Sequence, residues 1–130
     1  MRLRLTRMVF LTPVPRLSVP ALLASMDALY IGWKKKPLYQ FGISPNKLLD
    51  YMMAGKPVVH AVDAANDLVA ESRCGISVPP ESPAAVAEAV TRLMEMSATE
   101  RAALGRRGKA YVSANFDYHL LAQQYLGVIQ

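Results

Sequence analysis

The sequence predicts an α/β protein built on a parallel sheet of about four strands flanked by helices, and two observations carry that prediction. Short β-rich runs recur at Val9–Leu11, Ala28–Ile31, Val58–Val62 and Gly75–Val78, and a stretch with helix signals follows each of them. Strands that alternate with helices are joined by crossovers, and crossovers set neighbouring strands parallel. The 130 residues, 52% hydrophobic and 19% charged, carry enough apolar side chain for one core, so a single domain over residues 1–130 is expected.

The helix signals are specific. Ser18 caps a short helix that ends near Ser25, and Ser44 with Pro45 opens a second that runs to about Ala54, where Gly55 and Pro57 stop it. Asn66 is the expected cap of a short helix ending before Gly75. Ser82 and Pro83 repeat the cap-plus-proline start ahead of Val86, Val90, Leu93 and Met94, whose spacing is helical. Ser97 and Glu100 stand at capping-box spacing before a helix through Tyr111 and Val112, and a last helix spans Tyr118–Val128. The longest irregular stretch, Gly32–Ile43, joins a strand to a helix, the kind of loop that carries function.

Composition narrows the function classes. The lone Cys74 has no disulfide partner in the chain, and no Cys/His cluster has zinc-ligand spacing, so neither disulfides nor metal are expected to hold the fold. No apolar run reaches the roughly 18 residues of a membrane span, and the amino-terminal segment lacks the core of a secretory signal, so a cytoplasmic location is expected. A net charge of +5 suits an anionic partner: a nucleotide phosphate, nucleic acid, or the acidic surface of a membrane met peripherally from the cytoplasmic side. The basic groups gather at Arg2, Arg4 and Arg7, at Lys34–Lys36, and at Arg106, Arg107 and Lys109. They lack interleaved aromatic residues, which argues against nucleic acid.

The most informative segment is FGISPNKLLDYMMAGKPVV, Phe41–Val59. On its helix, Leu48, Leu49, Met52 and Met53 form an apolar stripe for the sheet, with Asn46, Lys47, Asp50 and Tyr51 on the opposite side. Gly42 lets the backbone pass close to a ligand, and free amides at the helix start suit an anion such as phosphate. Asp50 lies five residues beyond Pro45, about 7.5 Å further along the axis, where a carboxylate can accept from ribose hydroxyls while phosphates sit at the helix start. Lys47 adds a direct charge contact. A plainer reading stays open on these residues alone, with Lys47 and Asp50 an ordinary surface pair, Ser44 only a cap and Lys34–Lys36 a solvated loop.

Taken in order, VFLTPVP, VPALLASMDALYIGW, LYQFGISPNKLLDYMMAGKPVV, NDLVAESRCGISVPPESPAAVAEAV and SATERAALGRRGKAYVSANFDYHLLAQQY resemble the carboxyl-terminal, donor-binding domain of retaining GT-B glycosyltransferases of family 4, also called group 1. Only the first eight or so residues look unrelated. The resemblance implies an incomplete Rossmann-like domain and transfer of a sugar, hexosyltransferase type, from a nucleotide sugar in polysaccharide or glycoconjugate synthesis. It implies no cofactor, because the nucleotide sugar is a substrate. The family carries two glutamates separated by seven residues; Asp50 matches the second, on the ribose, while Gly42 stands at the first. The chain therefore resembles the branch that writes G-x-SPNK and uses UDP-sugar donors. By that likeness Gly42, Ile43, Ser44, Pro45 and Asn46 contact sugar and phosphate, with Lys47 nearby. Thr12, Pro13 and Val14 resemble the loop near the base. No residue is singled out as catalytic.

The same likeness implies a chain truncated on its amino-terminal side, lacking the acceptor domain and the first two strand-helix units with their share of the diphosphate site. Residues 118–130 would then form a helix that packs on that missing domain. The strand at Ala28–Ile31 would be an exposed edge able to pair with another chain, through self-association or a companion that supplies the missing half. The alternative is a catalytically inactive remnant or a protein-interaction module. Among other residues, His60 reads as a packed or hydrogen-bonded core histidine, His119 as surface and Cys74 as a small buried hydrophobe. Trp33 and Tyr39 stack on a sugar or base, or else pack in the core or anchor the loop. Asp63, Asp67 and Glu71 read as helix-start and surface charges.

Overall fold

The structure, a computed structural model, describes residues 7–130; Arg2 and Arg4 of the first basic cluster lie outside the described residues. Three parallel strands, β1 (Leu29–Gly32), β2 (Val58–Ala61) and β3 (Gly75–Val78), lie side by side in chain order. Leu29 pairs with Val58 and Val58 with Gly75, so β2 is the middle strand and β1 and β3 are the two edges. The helices are α1 (Val19–Ala24), α2 (Asn46–Met53), α3 (Leu68–Ser72), α4 (Pro83–Glu95), α5 (Ala98–Asn115) and α6 (Tyr118–Ile129). This is an α/β arrangement with a parallel sheet, an incomplete Rossmann-like fold.

One expected strand does not form. Val9, Phe10 and Leu11 are irregular and 78%, 89% and 63% exposed, leaving a three-stranded sheet among the described residues instead of about four strands. A strand exists through its ladder, and no described strand pairs with this segment. In a doubly wound order the segment would neighbour strands other than β1, so local β propensity had nothing to pair with.

The core has two faces. Val58, Leu48, Met52, Val69, Cys74 and Val112 gather on one side with α2, α3 and α5, while Val59, Ala89, Leu93 and Leu104 gather on the other under α4. Each fully buried aliphatic side chain contributes about 2 kcal/mol of transfer free energy. On α2 the stripe is centred on Leu48 and Met52. Tyr51, expected to face away, packs against the core, and Met53, expected inside, is 41% exposed. Successive helical residues turn by about 100°, so positions 51 and 52 share the face of position 48 while 53 leaves it.

Caps decide where the helices begin. Asp67, not Asn66, caps α3 by accepting from the Val69 and Ala70 amides, Ser82 caps α4, and Ser97 with Glu100 forms the expected capping box of α5. Ser18 stands at the N-cap of α1, but its side chain makes no capping bond. Asp117 caps α6, which has no buried residue and leaves Tyr118, Tyr125 and Val128 open to solvent. Among the described residues, no helix is long and apolar enough to cross a membrane.

Helix α5 crosses the end of α2 at glycines. A Cβ on Gly105 would lie 1.8 Å from the Gly55 carbonyl oxygen, and one on Gly108 would lie 2.9 Å from Cys74 Cβ. Gly105→Ala gains about 1 kcal/mol of helix propensity, but the clash is with backbone and outweighs it. The expected net loss is about 2 kcal/mol, read as a lower urea midpoint; an unchanged midpoint would mean that α5 does not pack this closely.

Candidate functional site

All three strands are parallel, so the loops after β1, β2 and β3 emerge at one end of the sheet, the carboxyl end, where open α/β sheets hold ligands. The loop after β1 begins with Trp33, whose amide continues the ladder by donating 3.0 Å to the Ala61 carbonyl. It then forms a 3-10 turn, Pro37–Phe41, closed by the Gly42 amide donating 3.0 Å to Tyr39 oxygen. Gly42 adopts φ +100°, a conformation that disfavours any side chain, and a Cβ there would sit 3.2 Å from Asn66 Oδ1.

Ile43 is gripped from the neighbouring loop. Its N–H donates 2.7 Å to Asn66 Oδ1, and its carbonyl accepts 2.8 Å from Asn66 Nδ2. The chain then runs through exposed Ser44 to Pro45, which is extended at φ −84°, ψ 110° and is itself the N-cap of α2. This corrects the reading of Ser44 as the cap with Pro45 in the first turn: the Pro45 carbonyl accepts the first intrahelical bond, 3.0 Å from the Leu48 amide. No N-cap side chain caps α2, so its first-turn amides keep the positive partial charge of a helix start, beside exposed Asn46 and Lys47.

Asp50 is exposed and lines a groove of about 600 Å³ together with Arg16, Val19, Pro20 and Leu23 from the α1 side and Lys109 from α5. Gly42 to Pro45 thus form one continuous turn leading into the helix that carries Asn46, Lys47 and Asp50. Thr12, Pro13 and Val14 are exposed and irregular and do not line that groove; Arg16, unnoticed in the sequence, does. Of the loop lysines, Lys35 pairs with Asp63 at 3.2 Å and its backbone N–H donates 3.1 Å to Glu81, so its charge is partly neutralised.

One residue at this end of the sheet has a role other than the expected one: Asn66, expected as a cap, is a bracket for Ile43. His60, expected as a packed or hydrogen-bonded core histidine, is both, fully buried and bridging two loops. The Trp33 indole N–H donates 3.1 Å to His60 Nε2, which leaves the ring proton on Nδ1, 2.9 Å from Asp67 Oδ1. Trp33 also meets Tyr39 edge to face with centroids 6.0 Å apart, so these two aromatics anchor the loop. The only signal in the sequence was the Asn-Asp pair at 66–67: two residues competent to cap, of which one helix can use only one.

Burial pushes the Asp67 carboxyl upward, but hydrogen bonds from His60, Ser77 and the Ala70 amide outweigh it and hold the group below the ordinary carboxylate range. Burial raises the Cys74 thiol, in keeping with a packed, unreactive side chain. Among the described residues no group of acids, histidines and cysteine is arranged to hold a metal ion.

The family model described as "Glycosyl transferases group 1" matches residues 2–96. The match begins within the first eight residues, which corrects the expectation that they lie outside the resemblance. No curated protein and no solved structure matches the chain.

Because the folded-state pKa of Asp67 is lowered, its contacts stabilise fully above the ordinary carboxylate value and fade as pH falls through the folded value. The urea midpoint should therefore decline on acidification, with a shallower acid limb in Asp67→Asn. Equal slopes in the two proteins would show that this carboxylate carries no linkage. Asp67→Ala removes a cap and a partner of buried His60 together, and should cost about 2 kcal/mol at neutral pH.

Proposed function

From the premise that the chain belongs to the group 1 glycosyltransferases, we propose that it binds the nucleotide part of a UDP-sugar donor along the Gly42–Asp50 segment, for retaining transfer in polysaccharide or glycoconjugate synthesis. The observation that carries this reading is the Gly42–Pro45 turn, which delivers an uncapped helix start to the carboxyl end of a parallel sheet with Asp50 further along the same helix.

The diphosphate lies against the first-turn amides of α2, where the helix end and Lys47 favour negative charge. The ribose hydroxyls donate to the Asp50 carboxylate. The groove bordered by Arg16, Val19 and Pro20 continues from Asp50 and takes the base side of the nucleoside. Transfer leaves charge on the departing diphosphate, and fixed amide dipoles already aimed at it lower the barrier without reorganising. With Gly42 where the family places an acid, sugar contacts fall to the Gly42 carbonyl, to Ser44 and to Asn46, while the backbone of Ile43 is engaged by Asn66 and shapes the turn. Acceptor binding and the opposing half of the diphosphate site belong to a further domain or a companion chain.

A second reading, an interaction module, has one observation in its favour: α6 buries no residue, and its tyrosines and Val128 form an open apolar surface.

Calorimetric titration with UDP at low salt separates the two. The donor reading expects saturable binding that weakens about tenfold in Asp50→Ala, the loss of a charge-assisted hydrogen bond. Lys47→Ala should weaken it several-fold, with the difference shrinking as salt rises. A cooperatively folded chain that binds no UDP would overturn this reading in favour of the interaction module.

A further inference from the structure

Three consecutive residues beyond β2 each hold a different piece of the loop after β1. The Ala65 amide donates 3.0 Å to Tyr39 oxygen, Asn66 grips both backbone groups of Ile43, and Asp67 holds Trp33 through His60. Of the three, Asn66 bonds Ile43, the residue that immediately precedes Ser44. Its amide oxygen accepts and its amide nitrogen donates, so it pairs with Ile43 as a neighbouring strand would, fixing the peptide on either side of that residue. The same oxygen is what a side chain at Gly42 would meet. Asn66 is in turn held, because the next residue is pinned as the cap of α3 and by buried His60.

We propose that Asn66 is the positioning residue of the donor turn: by holding Ile43 it aims the Gly42–Ser44 backbone and the start of α2 at the diphosphate. This rests on the donor reading above. It also gives a chemical reason for asparagine over aspartate. A carboxylate would keep the acceptor for the Ile43 N–H, lose the donor to the Ile43 carbonyl, and set a negative charge beside an anion site.

The test compares wild type, Asn66→Ala, Asn66→Asp and Ser82→Ala, the last removing a helix cap that is not part of the turn. Thermal unfolding, the Ile43 amide resonance and UDP titration are measured on each. Expected is a shifted Ile43 resonance and UDP affinity about tenfold lower in Asn66→Ala, a larger loss in Asn66→Asp, and wild-type affinity in Ser82→Ala despite a lower melting point. If the alanine variant does not unfold cooperatively, the aspartate variant carries the comparison. A shifted Ile43 resonance with unchanged UDP affinity overturns the positioning role, and so does an equal affinity loss in Ser82→Ala. A wild-type chain that binds no UDP overturns the donor reading itself, before any variant is compared, and the positioning role falls with it.

Discussion

A histidine buried on the middle strand of a parallel sheet needs a partner at each ring nitrogen, because an unpaired polar nitrogen in the core costs about 1–3 kcal/mol. His60 is fully buried, and the demand is met from two sides, by the Trp33 indole and the Asp67 carboxylate. Those partners sit on different connections: Trp33 opens the loop after β1, and Asp67 starts the helix after β2. One buried ring therefore ties two loops to the sheet and to each other. Among the described residues no buried side-chain nitrogen or oxygen lacks a partner, so the polar network at this end of the sheet is closed.

That closure lets a loop of many residues behave as a defined surface. Trp33 anchors its beginning, Tyr39 packs on Trp33 in its middle, and Asn66 brackets Ile43 at its end. Beyond that bracket Ser44, Asn46, Lys47 and, further along, Asp50 are exposed. Backbone amides held by packing carry fixed dipoles, which is the property a site for a diphosphate needs. The lysines contribute less than their number suggests, since Lys35 is paired with Asp63.

On the side of α2 that faces α5, glycines set the packing distance. Gly105 and Gly55 let α5 approach α2 at backbone contact, closing the face that holds Leu48, Met52 and Val112. A well-closed core there contrasts with the open apolar residues of Val9–Leu11 and of α6. The described residues thus combine a tightly packed α/β core with two apolar segments that it does not cover.

Local signals were legible where the physics is local. The alternation of strand and helix, the caps at Ser82 and Ser97, the apolar pair Leu48 and Met52, and the glycine and free helix start ahead of Asp50 all follow from spacing and side-chain chemistry within a few residues. The sequence alone thereby determined the fold class and the stretch to examine as a site. Only the tertiary structure decided that Val9–Leu11 has no partner strand, that Asp67 takes the cap and Asn66 the bracket, that His60 bridges Trp33 and Asp67, and that Arg16 and Lys109 share a groove with Asp50. Apart from the Asp67 cap itself, each of these depends on residues distant in sequence or on the absence of a partner, and hydrogen-bond choice between adjacent competent residues is settled by which acceptor or donor the folded chain brings within about 3 Å.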